Sequence, residues 1–394
     1  MKNKYELLAP VGNFPMLHAA IEAGADAIYF GIKRLNMRAS AKNFSLKDLP
    51  KIKKICLESE RKVKRYLTVN TIFYDEEIKK IKKIIKSAKG YVDAIICWDL
   101  AVIETCKEEG VDFHISTQAS ISNLKAADFY KKQGANRVVL ARELSLKQIK
   151  RISKTIHTEC FCHGAMCVAV SGRCFTSQFV HSISANRGQC AQPCRRAWNV
   201  IDDAGNKLRL DNNRVMSAKD LCTLPFIEKM KGAGITSFKI EGRNRSPEYV
   251  SAVVKVYRKA LDKKLNDKEI KEGIKELKKV YNRGFSSGFF FKMPTNDDFS
   301  YSEHGEQTEF KEYVGKVERY WPKVKAASVK MHAGKLNVGD NVFLISNDEA
   351  IKRVKIESIE LKGESVKFAK KGDEVGVKLP KVMRGTEVYV IKQK

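Results

Sequence analysis

The chain has 394 residues, 43% of them hydrophobic and 30% charged, which allows two or three domains of about 150 residues each. No apolar run approaches the ~18 residues that a membrane-spanning helix needs, and the first residues contain no apolar leader, so we expect a cytoplasmic protein without membrane contact. In that compartment the ten cysteines are reduced thiols or metal ligands, and disulfides are disfavoured.

The positive charge is concentrated in the first part of the chain. Residues 1–300 contribute +23 of the net charge of +28. A surplus of this size favours a polyanionic partner, most simply a nucleic acid. The alternative is a solvated surface in a lysine-rich protein, because much of the excess lies in helix-like lysine runs such as residues 78–89.

Short apolar runs alternate with amphipathic helical stretches in residues 5–241. The runs are Tyr5–Pro10, Ala27–Gly31, Tyr66–Asn70, Ala94–Asp99, Phe113–Gln118, Arg137–Arg142, Glu159–Gly164 and Ser237–Glu241. Each is continuously apolar, as is typical of a strand buried on both faces of a parallel sheet. Eight such repeats predict an α/β fold, a (β/α)8 barrel of the TIM type. A doubly wound sheet is the alternative, disfavoured because no glycine-rich phosphate loop follows the first run.

Polar residues cluster where these predicted strands end. They are Asn70, Asp99, Gln118, Arg142, Glu143, His163, Glu241 and Arg243. The carboxyl ends of the strands form the active-site face of such a barrel. A capping or structural role is an equal alternative for any one of them, but the whole set predicts an active-site mouth.

The regular repeat is interrupted by an insertion at residues 165–236, between the seventh and eighth strands. It carries Cys167, Cys174, Cys190 and Cys194 within 28 residues, a grouping typical of a metal site in an intracellular chain. The last two could form a zinc pair, but the first two lie too far apart in sequence for a zinc knuckle. The spacing therefore favours a [4Fe–4S] cluster over zinc. Cys222, predicted at the start of a helix, is a fifth candidate ligand.

The chain changes character after the eighth strand. Helices are predicted over Pro247–Leu261 and Lys268–Tyr281, followed by a polar stretch and then by short strand-like runs. We therefore predict a barrel domain at residues 1–292, a linker at 293–312 and a small β-barrel domain at 313–394. The last region is similar to the second-domain barrel of elongation factor Tu, a type of module that often contacts RNA.

One long motif resembles a known family. The stretch from Glu159 to Ser177, ECFCHGAMCVAVSGRCFTS, resembles the signature of the collagenase-like peptidases of family U32. The segments ELLAPVGN, AGADAIYFG, STQAS and FKIEGR extend the resemblance over at least residues 4–290. The segments ANRGQCAQPCRR and YNRGFSSGFF are most similar to the branch of the family that hydroxylates transfer RNA.

The resemblance implies an O2-independent hydroxylase rather than a peptidase. It implies that the four insertion cysteines hold a [4Fe–4S] cluster, with Cys222 as an alternative fourth ligand. The implied reaction adds a hydroxyl group to carbon 5 of the wobble uridine in the anticodon loop of tRNA, with prephenate as a suspected co-substrate. Sister branches act on a ribosomal RNA cytidine or on ubiquinone precursors. A paralogous family member is a further candidate partner.

Roles for the remaining candidates follow from their chemistry. The candidates for binding substrate or the carboxylates of a prephenate-like donor are Arg38, Arg142, Arg173, Arg243, Gln118 and Asn70. The candidates for proton transfer are His163, Glu143 and Glu241. Structural salt bridges are equally compatible with the arginines. Two other functions stay open: a metal-dependent peptidase acting on a collagen-like substrate, and a non-catalytic RNA-binding or assembly factor.

Overall fold

The computed structural model describes residues 4–33, 35–39, 41–199, 201–206, 216–302 and 305–394. Residues 200 and 207–215 of the predicted insertion and residues 303–304 of the predicted linker therefore lie outside the described residues.

The first part of the chain alternates strands with helices. In chain order these are β1 (Glu6–Pro10), α1 (Phe14–Glu22), β2 (Ala27–Gly31), α2 (Leu49–Glu58), β3 (Lys64–Thr68), α3 (Ile78–Ala88), β4 (Ala94–Cys97), α4 (Leu100–Glu109), β5 (Phe113–Ile115), α5 (Leu124–Lys132), β6 (Arg137–Val139), α6 (Leu146–Ile152), β7 (His157–Gly164), α7 (Thr176–His181), β8 (Asp220–Cys222), α8 (Ile227–Gly232), β9 (Ser237–Ile240), α9 (Pro247–Asp262), α10 (Asp267–Lys279) and β10 (Phe285–Ser286). Side-chain caps start several helices; for example, Asn13 Oδ1 accepts the Met16 N–H at the start of α1.

Eight of these strands close into a parallel barrel. Each strand from β1 to β6 pairs in parallel with the next one, β7 pairs in parallel with β9, and β9 pairs in parallel with β1. The predicted (β/α)8 barrel is thus confirmed, with the predicted strands in place and their ends shifted by at most three residues. The strands form the barrel because their outward side chains bury against the helices and their inward ones fill the interior.

The interior of the barrel is apolar in its middle and ionic at its floor, the end where the strands begin. Leu8, Tyr29, Tyr66 and Ile96 belong to a buried interior cluster. Below them, Arg137 bonds both Glu6 and Glu159, and Lys239 Nζ lies 2.7 Å from Glu159 Oε1. The Glu159 side chain is fully buried, so this network compensates charges that would otherwise be costly to bury. We call these four charged residues the floor network.

Two short strands lie beside the barrel, β8 within the insertion and β10 after α10. β8 pairs antiparallel with the end of β7, placing Cys222 opposite His163, and β10 pairs in parallel with β8. Cys222 therefore lies on a buried strand, and the prediction that it starts a helix is wrong.

The rest of the chain is antiparallel and β-rich. Its strands are β11 (Glu309–Trp321), β12 (Ala326–Met331), β13 (Lys335–Asn337), β14 (Asn341–Ile345), β15 (Lys352–Lys355), β16 (Ile359–Leu361), β17 (Glu364–Val366), β18 (Phe368–Lys370), β19 (Glu374–Lys378) and β20 (Glu387–Gln393). Eight of them form one sheet, in the order β15-β14-β20-β11-β12-β19-β16-β17, and β13 pairs with β18. The domain bounds and the likeness to elongation factor Tu stay predictions.

The β-rich region contacts the barrel through ion pairs. Lys311 Nζ lies 2.8 Å from Glu248 Oε2 on α9, and Lys51 Nζ on α2 lies 2.8 Å from Asp348 Oδ1. Within the described part of the chain, every helix is too short or too polar to span a membrane.

Candidate active site at the barrel mouth

A cavity opens at the carboxyl ends of the barrel strands. It has about 1340 Å³ of empty space, including the part at its open side. Its lining brings together ten of the predicted site residues: Arg38, Asn70, Gln118, Arg142, Glu241, Arg243 and the four insertion cysteines, Cys167, Cys174, Cys190 and Cys194. Residues distant in sequence meet here because each follows a different strand.

Glu241 is a carboxylate at this mouth, directly after β9. Its Oε1 accepts from Arg38 Nη2 at 2.8 Å and from Arg38 Nε at 3.2 Å. Burial by itself would raise the pKa of Glu241, but Arg38, Arg142 and Arg245 outweigh burial and lower that pKa below its ordinary value. Glu241 is therefore ionised at neutral pH, which makes it a good anchor for cations and a weak proton acceptor.

Arg142 is the mouth cation with the most unused hydrogen-bonding capacity. Its Nη1 donates to Ala165 O at 2.7 Å, and its guanidinium lies 3.9 Å from the centre of the Phe161 ring. Its buried Nε atom has no hydrogen-bond partner among the described residues. Burial lowers the pKa of Arg142, although an arginine stays charged in a protein. The geometry leaves Arg142 able to bind an anion.

Arg243 is more fully committed to the fold. Its Nη1 donates to Thr68 Oγ1 at 3.1 Å, and its Nη2 donates to Asn36 Oδ1 at 2.5 Å. Burial lowers the pKa of Arg243 to about 10. These contacts tie the loop after β2 to the end of β9, so Arg243 shapes the cavity wall.

A chain of hydrogen bonds fixes the orientation of the Gln118 amide. Asn70 Oδ1 accepts from the backbone N–H of Met37 at 3.3 Å, and a backbone N–H can only donate. Asn70 Nδ2 must then be the donor to Ser116 Oγ at 3.0 Å and to Gln118 Oε1 at 3.2 Å. Ser116 Oγ also donates to Gln118 Oε1. The Gln118 Nε2 group is consequently left as a donor facing the cavity.

The insertion packs directly on this amide. Gly172 has φ +80°, and a Cβ at this position would lie only 2.7 Å from Gln118 Cγ. An L side chain is therefore excluded twice, by the backbone conformation and by space. The loop between Cys167 and Cys174 thus lies in contact with the stem of Gln118.

The four insertion cysteines converge on one side of the cavity. Cys167 and Cys190 are exposed, whereas Cys174 and Cys194 are half-buried, and all are free thiols. Burial raises the pKa of Cys194, Arg195 opposes that rise, and the other three cysteines add to it. Among the residues that the structure describes, no three His, Cys, Asp or Glu side chains are close enough to bind one metal ion together.

A family model described as "Peptidase family U32" matches residues 12–300. The chain belongs to peptidase family U32. The resemblance seen in the cysteine motif is thereby confirmed over the barrel and its insertion.

Curated relatives of this U32 protein carry two kinds of name. A protein named collagenase from Porphyromonas gingivalis is 40% identical over 405 residues, covering 98% of this chain and 97% of the relative. The tRNA hydroxylation protein P1 of Bacillus subtilis is 38% identical and covers 80% of this chain and 78% of its own length. A 23S rRNA 5-hydroxycytidine synthase of Escherichia coli is 35% identical over 66% of this chain and 40% of its own length.

Three predicted site residues of the U32 protein do not line the cavity. His163 is 1% exposed and its ring lies among Tyr249, Tyr257 and Phe285. Burial, with a smaller effect of Arg245, lowers the pKa of His163 to about 3, so the imidazole is neutral. The other two, Glu143 and Arg173, are exposed to solvent. The structure thus leaves Glu241 as the only one of the three proton-transfer candidates at the cavity.

A β-bulge explains the position of His163. Alternation along β7 points Glu159 and Phe161 into the barrel and would point His163 the same way. The pairing with β9 slips between Phe161 and His163, so Cys162 is an extra residue and the imidazole turns toward α9. Cys222, the alternative ligand, is buried beside Tyr257 on this same outer side and does not line the cavity.

The cavity residues that sequence reasoning missed include Tyr29 and Lys239. Both lie inside strands, where the apolar context indicated full burial. A lysine between Phe238 and Ile240 was nevertheless a usable signal, because an ammonium group inside a barrel needs a partner. Lys239 finds that partner in Glu159.

Proposed function

We propose that this U32 protein is an O2-independent hydroxylase that forms 5-hydroxyuridine at the wobble position of tRNA. The proposal depends on one observation: four thiols converge beside a cation-rich cavity at the mouth of the barrel. Relatives named for tRNA hydroxylation and for ribosomal RNA hydroxycytidine synthesis support RNA as the substrate. The charge of +23 on residues 1–300 suits a polyanion of this kind.

The donor set supports a [4Fe–4S] cluster on Cys167, Cys174, Cys190 and Cys194. Four cysteine thiolates are the usual ligand set of such a cluster, and the wide sequence spacing of Cys167 and Cys174 disfavours a zinc knuckle. In a cluster each thiolate binds a different iron atom, so its sulfurs stand further apart than around a single zinc ion. When bound, such a cluster supplies one-electron redox chemistry next to the substrate.

Gln118 is suited to recognise uracil. Its Nε2 donor would pair with the O4 carbonyl of a uridine that has been unstacked from the loop and inserted into the cavity. Cytosine carries an amino group at the same position, which would place two donors against each other. The carbon to be oxidised, C5, is bonded to C4, so this contact also positions the reacting atom.

Arg142 is the best candidate for binding a carboxylate of a prephenate-type co-substrate. Arg38 is paired with Glu241, and Arg243 is bonded to Thr68 and Asn36. Arg142 lines the cavity and has a buried Nε without a hydrogen-bond partner among the described residues. A fork of two N–H donors matches a carboxylate.

The test is genetic complementation followed by nucleoside analysis. A strain lacking the gene should lose the 5-hydroxyuridine-derived nucleosides in mass spectra of its tRNA, and wild-type protein should restore them. Cys167→Ser should fail to restore them and should lower the iron content of anaerobically purified protein. Cys222→Ala is the matched control, because this thiol does not line the cavity.

Unchanged tRNA nucleosides in the deletion strain would contradict the proposal. If the deletion loses the nucleosides but Arg142→Ala and Glu241→Ala both restore them, a non-catalytic RNA-binding or assembly factor becomes the better explanation. If Cys222→Ala also loses iron, the ligand set must be revised.

A peptidase is the second candidate function, favoured by the name of the collagenase relative. A cysteine nucleophile needs a neighbouring base. The described residues that line the cavity include no histidine, and the His163 ring lies on the other side of β7. Cleavage of denatured collagen by iron-loaded protein, lost in Cys167→Ala, would support the peptidase.

A further inference from the structure

The cysteine-bearing segment has an unusual charge pattern. Residues 160–201 contain four arginines, no lysine and no acidic residue, in a chain with 46 Asp and Glu. Arginine differs from lysine because its planar guanidinium binds phosphate in a bidentate way and stacks on rings. An arginine-only, acid-free segment is therefore well suited to contact RNA.

Two of the four arginines are engaged within the fold. Arg187 forms an ion pair of 2.8 Å with Glu77, and Arg195 donates to the carbonyls of Met166 and Ala218. The other two, Arg173 and Arg196, are exposed and have no ion-pair partner among the described residues. These two cations are available to a ligand.

The same segment exposes aromatic rings to solvent. Phe175, the residue before α7, is 62% exposed, and Phe179 on α7 is 85% exposed. They are four residues apart, which places them on one face of the helical turn. Thr176 and Ser177 of the same turn line the cavity, so the turn itself borders the cavity and the two rings lie on its solvent-facing side.

We propose that Phe175 and Phe179 form a stacking platform for the bases next to the target nucleotide in a single-stranded RNA loop. Arg173 and Arg196 contact the phosphates of the same loop. The inference relies on the proposed function only in taking RNA as the substrate. It explains why large apolar side chains stay exposed at this rim, since every base presents a face that can stack on an aromatic ring.

The charge pattern favours a single-stranded RNA loop at this surface over a second copy of the chain or another protein. A protein interface of this kind would place the apolar rings against a matching apolar surface. Here the rings are flanked by unpaired guanidinium groups in a segment without acidic residues, which complements a polyphosphate chain with exposed bases.

The test measures binding of a synthetic anticodon stem–loop RNA to the anaerobically purified full-length protein. Phe179→Ala should weaken binding about tenfold, and the double variant with Phe175→Ala should weaken it further, because each stacked base is lost. Phe179→Trp should keep the affinity, whereas Phe179→Leu should lose it, since leucine is apolar but has no aromatic face. Arg173→Gln should reduce the slope of log affinity against log salt by about 0.7.

Phe129→Ala is the matched control. Phe129 is a 52% exposed phenylalanine on α5, away from the cavity lining, and its loss should leave RNA binding unchanged. Iron content and circular dichroism of all variants should equal those of the wild type.

Three outcomes would overturn the platform. If wild-type protein binds the stem–loop and the Phe175→Ala, Phe179→Ala variant binds equally well, the platform is wrong while the proposed function stands. If that variant loses self-association in sedimentation with RNA binding intact, the rings form an interface between copies. If the wild type binds no RNA, the platform and the proposed function both fail.

Discussion

The floor and the mouth of the barrel both contain buried charges, but the ratio of cations to carboxylates differs between them. At the floor, Arg137 and Lys239 are bonded to Glu6 and Glu159. At the mouth, several arginines face one carboxylate, Glu241, and Arg142 keeps an unpartnered Nε among the described residues. The floor network neutralises itself and stabilises the barrel, whereas the mouth leaves cationic donors for a ligand.

Glu159→Gln should disrupt the floor network and have the largest effect on the free energy of unfolding. Removing this buried carboxylate leaves Lys239 without its anion, which costs about 3–5 kcal/mol in the free energy of unfolding. Urea denaturation followed by circular dichroism measures it. Arg142→Met at the mouth is the contrasting variant and should change stability far less, because this cation has no ion-pair partner among the described residues. Equal losses in the two variants would remove the distinction between floor and mouth.

Glu241→Gln should have an intermediate effect that depends on pH. The variant leaves Arg38 without its carboxylate, which costs about 1–3 kcal/mol of stability at neutral pH. Because the folded-state pKa of Glu241 is lowered, its contribution is complete above the ordinary value of 4.5 and is lost as the pH falls through the folded value. Unfolding curves of wild type and variant should therefore differ at pH 7 and approach each other as the pH falls below 4.5. Curves that stay parallel down to acid pH would contradict this assignment.

Gln118→Glu should have the smallest effect on stability and a clear effect on substrate choice. Replacing the Nε2 donor by an acceptor removes one hydrogen bond, worth about 1 kcal/mol, from the bound uracil. Modification of a stem–loop with uridine at the target position should fall by roughly tenfold, and binding of the cytidine-substituted loop should improve relative to it. Gln118→Met removes the amide without adding an acceptor. It should lower modification of the uridine loop without improving binding of the cytidine loop. An unchanged preference in both variants would exclude Gln118 as the reader of the base.

The sequence was sufficient for the barrel because its strands are buried on both faces and therefore appear as continuous apolar runs. It also predicted that the four insertion cysteines lie together, and all four line the cavity. It could not show that Cys162 is an extra residue in β7, because a bulge depends on the pairing with β9. For the same reason the outward turn of His163 was beyond sequence reasoning. The amide orientation of Gln118 depends on the backbone N–H of Met37 through Asn70, two contacts that span 33 and 48 positions and that no local pattern encodes.

Gly172 has room only for a hydrogen atom as its side chain, because it packs against Gln118. This contact couples the position of the cysteine loop to the position of the Gln118 amide. The stretch from Cys167 to Cys174 lies against the Gln118 stem there, so neither can shift without the other. Under the proposed function, assembly of the metal centre and alignment of the Gln118 amide would therefore be coupled. Protein without iron should still bind an RNA loop but should no longer distinguish its uridine from a cytidine. Base recognition would then require the bound cofactor.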